Sequence, residues 1–227
     1  MKIVLSWLRE FCPAELSVGE LAEILTAKGA KVEDVVRPWE RLSGVIVARV
    51  LEVRDHPGSN KLCLARVGTG TAEREVVVGV RNMGPGDLVP LAGPGTTVPA
   101  LPRPLEAREI RGVVSEGMLC SPMELAIAPN HDGILVLPPE LTPGDDLKIA
   151  LGLDDVVFEI EITPNRPDLM SVIGVAREVA ASTGVPLRVP DMAPVEDDEK
   201  AEGVAIIQIL DPERCPRYLA RIIRFYL

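Results

Sequence analysis

From residue 40 to residue 157 the chain contains no Phe, Tyr or Trp. Any core in that stretch has to be assembled from small and branched aliphatic side chains. The residues supply them in short runs. Gly44-Val45-Ile46-Val47-Ala48-Arg49-Val50-Leu51-Glu52-Val53 is long and β-branched, and Leu62–Val67, Glu75–Val80, Leu88–Leu91 and Ile134–Leu137 follow between clusters rich in Gly and Pro. The first of these clusters, Asp55-His56-Pro57-Gly58-Ser59-Asn60, is dense in turn residues. Short strands at this spacing predict a small closed barrel rather than βαβ units. There is no internal repeat.

The flanks differ. Ser6 precedes Trp7, Leu8 and Phe11, a short amphipathic turn stopped by Pro13. Ser17-Val18-Gly19-Glu20 has the spacing of a capping box, Leu21, Ile24 and Leu25 recur at helical spacing, and Gly29 can end that helix. Lys31 to Val36 alternates weakly as a strand. After residue 151, Val156–Ile162 alternates as a strand and the Pro-rich turn Thr163–Asp168 follows. Leu169, Val172, Ile173, Ala176, Val179 and Ala180 then mark one helix face, closed by Gly184 and Pro186. An acidic linker contains Glu196-Asp197-Asp198-Glu199. Two apolar runs, Val204–Leu210 and Tyr218–Ile223, come last, and the pattern breaks off at Tyr226-Leu227, as expected of a piece of a longer chain.

An apolar share of 47% excludes a disordered chain, and no apolar run approaches the roughly 20 residues of a membrane span. One Lys and a short apolar patch before Arg9-Glu10 do not make a signal peptide. Cys12, Cys63, Cys120 and Cys215 form no CxxC pair, so neither a zinc site nor a thioredoxin-type motif is expected, and the thiols read as reduced and mostly buried in a cytoplasmic protein. His56 and His131 are the only histidines, which leaves little for general-base work or metal ligation. Basic and acidic side chains number 5 and 6 in residues 1–38, 11 and 14 in 39–151, and 8 and 14 in 152–227. A nucleic-acid partner would therefore have to meet a local basic face against a repelling global field.

Four motifs carry a resemblance. They are His56-Pro57-Gly58-Ser59-Asn60-Lys61-Leu62, Val78-Gly79-Val80-Arg81-Asn82, Arg111-Gly112-Val113-Val114-Ser115-Glu116-Gly117-Met118-Leu119-Cys120-Ser121, and His131-Asp132-Gly133-Ile134-Leu135. Together they resemble the tRNA-binding oligonucleotide-fold (OB-fold) domain that recurs in several aminoacyl-tRNA synthetases. The opening Met1–Trp7 with its capped helix, and Thr163-Pro164-Asn165-Arg166-Pro167-Asp168 leading to Gly174-Val175-Ala176-Arg177-Glu178, narrow this to the β-subunit family of bacterial phenylalanyl-tRNA synthetase. Asp211-Pro212-Glu213 to Arg217-Tyr218 resembles the start of that family's editing region.

The resemblance implies an α+β multidomain fold. Residues 1–38 and 152–190 would form one small, winged-helix-like α+β domain. An OB-fold barrel at 39–151 would be inserted in it, and 191–227 would hold the linker and the start of an editing domain. It implies a part of a phenylalanine–tRNA ligase that lends tRNA binding and support to ATP-dependent aminoacylation. The catalytic centre would lie in an α subunit of an α2β2 heterotetramer. ATP and Mg2+ would be used by the parent enzyme, with no catalytic residue, metal or cofactor in this portion.

Lys61, Arg81, Asn82, Arg111, Ser115 and Ser121 are the candidate RNA contacts. Lys61 and the two arginines can reach phosphate, and Asn and Ser can touch sugar and phosphate without reading sequence. Each has a plainer alternative: Lys61 as a solvated loop lysine, Asn82 as a turn closer, Ser115–Met118 as a β-turn with Met in the core. His56 reads as a loop-ordering residue, and Asp132 as organising its own turn. Arg166 and Asp168 are candidates for an interdomain clamp, with Asp168 alternatively capping the next helix. The family loop commonly has Pro before the Asn and Arg two residues after it, whereas Arg81 and Gly84 stand there in this chain. With no rings to stack bases, the barrel is expected to bind RNA weakly, through phosphates and shape. A stand-alone tRNA-binding module and a barrel used only for protein–protein contact are the rival readings.

Overall fold

A computed structural model of the chain describes residues 1–191, 193, 195, 196, 198 and 200–223. Asp197 and Glu199 of the acidic run, and the closing Tyr226-Leu227, lie outside the described residues. The chain divides into two compact units at residue 190.

In the first unit β1 (Lys2–Val4) runs directly into α1 (Leu5–Phe11). The next helix, α2 (Val18–Ala27), begins on the capping box: Glu20 N–H donates to Ser17 Oγ, and Ser17 N–H donates to the Glu20 carboxylate at 2.8 Å. Gly29, at φ +87°, turns the chain out of the helix into β2 (Ala30–Val36). The chain then builds β3 (Ser43–His56), β4 (Ser59–Gly68), β5 (Glu73–Val78), β6 (Leu88–Thr97), β7 (Arg108–Ile110), β8 (Val113–Ser115), β9 (Met118–Leu119) and the short helix α3 (Leu147–Ala150). It returns through β10 (Val157–Ile162) and ends the unit with α4 (Val172–Thr183), whose C-terminus is closed by Gly184 in the left-handed conformation.

Three antiparallel sheets result, one in the order β1-β10-β2, one in the order β5-β4-β3-β6-β9, and the hairpin β7-β8. In the five-stranded sheet β3 serves both neighbours. Residues 43–49 pair with β6 and residues 49–56 with β4, with register shifts near both ends that bend the strand. Alternate residues of β3 enter two cores. Ala48 and Val50 join Cys63, Ala65, Val67, Val76, Val89 and Leu91, whereas Val45 and Val47 join Leu42, Leu88, Ala92, Cys120 and Leu147. Both fully buried sets are free of rings; Trp39 only packs on the second and donates from Nε1 to Leu125 O at 3.1 Å.

The sheet has edges at β5 and β9, and among the described residues no ladder joins them, so the expected closed barrel is not formed by continuous strand pairing. Residues 115–117 link the edges instead. Val77 N–H donates to Ser115 Oγ at 3.0 Å, Glu116 N–H donates to Glu75 O at 3.0 Å, and Glu75 N–H donates to the Glu116 carboxylate at 3.0 Å. Gly117 permits this approach, because a Cβ there would stand 2.6 Å from Ala92 O.

Ile134–Leu137 is also not a strand. Leu135 N–H goes to Cys120 O, Leu137 N–H to Leu88 O, and Ile134 to a side chain, so its backbone is satisfied by three separate partners rather than one ladder.

In the other sheet β10 is central, with Ile3 opposite Phe158 and Val36 opposite Val157. Its core is Ile3, Leu8, Leu21, Leu25, Phe158, Leu169, Val175 and Val179, drawn from both ends of the unit. The chain thus leaves this sheet after Val36 and re-enters it at the residue that pairs with Val36. No helix among the described residues is long and apolar enough to cross a membrane. In the second unit the described residues form no strand and no α-helix, only a 3₁₀ turn at Ala201–Gly203.

Candidate nucleic-acid interface

The β3–β4 turn and the β7–β8 turn meet at one end of the five-stranded sheet. The β7–β8 loop is two residues, Arg111 at φ +50° and Gly112 at φ +86°, the arrangement of a tight hairpin turn with both central residues left-handed. Arg111 is the strained member, since a residue with a Cβ rarely adopts that conformation. Its guanidinium Nη1 lies 3.5 Å from Gly58 O. His56, 4% exposed, joins the two turns: Gly58 N–H donates to Nδ1 at 3.0 Å, which leaves the proton on Nε2 to be donated to Ile110 O at 3.1 Å.

Lys61 is exposed in the same hairpin. Arg81 approaches from the residues after β5, with Nη2 at 2.6 Å from Asp55 Oδ1 and 3.4 Å from Leu62 O. Three of the six candidates therefore share this end. Among the described residues Lys61 and Arg111 carry no ion pair, whereas Arg81 is paired with Asp55.

The other three candidates engage the protein's own backbone or side chains with their polar atoms, Ser115 and Ser121 buried and Asn82 exposed. Asn82 grips one peptide segment with both ends of its amide: Nδ2 donates to Ile134 O at 2.8 Å and Oδ1 accepts from Ile134 N–H at 3.0 Å. Ser115 is 3% exposed; its Oγ accepts from Val77 N–H and donates to Gly117 O at 2.8 Å. Ser121 is 6% exposed and forms a reciprocal cap with Glu124, its N–H and Oγ both donating to Glu124 Oε2, at 2.6 and 2.8 Å.

The outer face of β3, β4 and β5 is not a basic surface either. Arg66 is paired with Glu52 at 3.2 Å and Glu73 at 2.8 Å, and Arg54 with Glu75 at 2.5 Å. Two arginines face three carboxylates there.

Arg166 joins α2 to α4. It pairs with Asp168 through Nε at 3.0 Å and Nη2 at 2.8 Å, reaches Glu178 of α4 at 2.7 Å, and donates from Nη1 to Lys28 O at 2.6 Å, at the C-terminus of α2. A cation there complements the helix dipole. All these partners belong to 1–38 and 152–190. Asp168 does not cap α4; Ser171 does, its Oγ accepting from Gly174 N–H at 3.1 Å. Residues 167–169 are wound into a 3₁₀ turn, which leaves Asp168 one turn too early and hands its carboxylate to Arg166. That guanidinium holds the Asp168 carboxyl below its usual range.

Cys63 and Cys120 are poor nucleophiles. Cys63 lies 3.6 Å from Val78 O, and burial pushes both its thiol and that of Cys120 upward, away from the reactive thiolate. The two belong to different cores.

Residues 45–146, a span that takes in nearly all of the five-stranded sheet and its hairpin, match the family described as "Putative tRNA binding domain". The whole chain, over 99% of its length, is 44% identical to the phenylalanine–tRNA ligase beta subunit of Syntrophus aciditrophicus and spans 28% of that protein. The phenylalanine–tRNA ligase beta subunits of Geobacter sulfurreducens and Anaeromyxobacter dehalogenans are 44% and 43% identical over 98% of this chain, which again spans 28% of each. The chain therefore resembles these subunits from end to end and covers less than a third of their length.

Proposed function

We propose that the chain is the N-terminal part of a phenylalanine–tRNA ligase β subunit and supplies tRNA contact and structural support to ATP-dependent aminoacylation of tRNA(Phe). The observation that carries this reading is identity of 41–44% maintained over nearly the whole chain. In this reading residues 1–38 and 152–190 are one discontinuous, winged-helix-like domain. Residues 39–151 are an OB-type barrel completed by the 115–117 link, and residues 191–227 are a linker and the beginning of an editing domain. The parent enzyme is a cytoplasmic α2β2 heterotetramer with its aminoacylation centre in the α subunit. ATP and Mg2+ are that enzyme's; among the described residues no group of three or more His, Cys, Asp and Glu side chains could hold a metal ion.

The tRNA contact is made by phosphates at the hairpin end. Lys61 and Arg111 are the unpaired cations there, Arg81 contributes once Asp55 is displaced, and the ion-paired sheet face is left out. Asn82, Ser115 and Ser121 serve the protein's own structure instead of touching RNA.

Titrating the full chain with folded tRNA(Phe) across a series of salt concentrations tests the proposal. Weak binding that strengthens as salt falls is expected, and Lys61→Ala should lower the slope of log K against log salt by about 0.7–0.9, the value of one lost phosphate contact. Absence of binding at every salt concentration would favour a barrel used for protein–protein contact.

A further inference from the structure

We infer that His56 is a positioning residue for RNA contact, latching the β7–β8 turn to the β3–β4 turn so that Arg111 and Lys61 present their charges together; this rests on the tRNA-binding reading above. The geometry is specific. One ring nitrogen serves the local turn, accepting from Gly58 N–H at 3.0 Å. The other reaches across to the second hairpin, donating to Ile110 O at 3.1 Å. The ring is 4% exposed, so neither bond is readily replaced by water.

The latch is reinforced from the other side. The Arg111 guanidinium lies 3.5 Å from Gly58 O. A Cβ at Gly58 would come 3.1 Å from Arg111 O and 3.6 Å from Arg111 Cβ, so the two turns are in van der Waals contact at the one residue small enough to allow it. The base of the hairpin that holds Arg111 is anchored to β5 through Ser115 and Glu116, and the contacts with the β3–β4 turn act on its tip. Its strands are three residues each, and its tip places a bulky residue at φ +50°. Such a conformation persists only where its surroundings impose it. Cutting the cross-hairpin bond therefore frees Arg111 to leave the turn region, and the ordering lost before binding has to be supplied on binding.

Two substitutions separate the two ring nitrogens. Gln places an amide N–H near the position of Nε2 and can still donate to Ile110 O. Asn places its oxygen near the position of Nδ1 and can still accept from Gly58 N–H, but is too short to cross to the second hairpin. Binding of folded tRNA(Phe) by the full chain is measured across salt for wild type, His56→Gln and His56→Asn, below the melting point of each. Amide exchange across residues 108–115 is recorded in parallel.

His56→Gln is expected to keep the wild-type salt slope and the protection of 108–115. His56→Asn is expected to lose that protection and about 0.7–0.9 of the slope, the contribution of one phosphate contact. Wild-type binding by His56→Asn, or equal losses in both variants, would overturn the latch while leaving the tRNA reading intact. If wild type itself fails to bind at low salt, the tRNA reading falls and the positioning role falls with it.

Discussion

Asn82 uses its side chain as if it were a strand. Its amide donates to and accepts from the same residue, Ile134, which is the pairing a neighbouring backbone would offer. Gly133 lets the segment come this close, since a Cβ there would stand 2.6 Å from the Asn82 amide. The site separates two roles cleanly. Asn82→Asp preserves an acceptor for Ile134 N–H but sets an oxygen against Ile134 O, so it should destabilise the unit by about 1–3 kcal/mol. Thermal melting reads the loss. The affinity of the folded fraction for tRNA should stay at the wild-type value when corrected for the added negative charge with Asn82→Ala as reference. A residue touching RNA directly would lower that affinity in both variants.

At the scale of the element, α2 shows how far local chemistry carries. Its start is fixed by Ser17 and Glu20, and both hydrogen bonds from Ser17 hold the Glu20 carboxyl below its usual range. The folded-state carboxyl then titrates below its unfolded value of about 4.3. Ionised Glu20 contributes its stabilisation in full above that value and loses it as pH falls through the lower folded-state range. Asp168, held down by Arg166, titrates in the same direction. Acid should therefore destabilise the first unit from about pH 4 downward. Ser17→Ala should cost about 1 kcal/mol at neutral pH and flatten this acid limb, both read from urea midpoints at stepped pH.

Elements of this kind were legible in the sequence because their determinants lie within a few residues: the box at Ser17, the stop at Gly29, the stop at Gly184. Ile134–Leu137 misleads because its partners are 15 to 52 residues away in Cys120, Leu88 and Asn82, and an apolar run does not reveal whether one strand or several separate groups will satisfy it. The candidate interface was legible in part for the same reason. Lys61, Arg81 and Arg111 announce themselves by charge, but whether a hydroxyl such as Ser115 or Ser121 points outward is decided by a non-local pairing. His56 was readable as a loop-ordering residue; its reach to Ile110 was not, although the Arg-Gly pair between short apolar runs was a signal for the hairpin it meets.

At the scale of the whole molecule the decisive fact is where the excursion begins and ends. Val36 and Val157 are register partners in one antiparallel ladder, so everything between them departs from and returns to a single point of the smaller sheet. The core of that sheet, centred on the fully buried Phe158 and Ile3, draws its buried residues from 3–30 and 156–179 and none from the sheet between. The five-stranded sheet likewise draws the buried residues of its two cores from 42–147, with Trp39, Ala150, Leu151 and Leu153 packed against the second. Each part thus satisfies its own burial, and the connection between them need only be long enough to turn.

Joining Arg37 to Val156 through Asn-Gly makes β2 and β10 an ordinary hairpin with a turn suited to the right-handed twist of its strands. The shortened chain should be a monomer with a cooperative thermal transition and slow exchange at Phe158 and Ile160. Adding Phe158→Ala to it should cost about 3–5 kcal/mol and abolish the transition. A shortened chain that shows helical circular dichroism but no cooperative melting would mean that the small sheet depends on the inserted one, and the two would then have to be counted as a single domain.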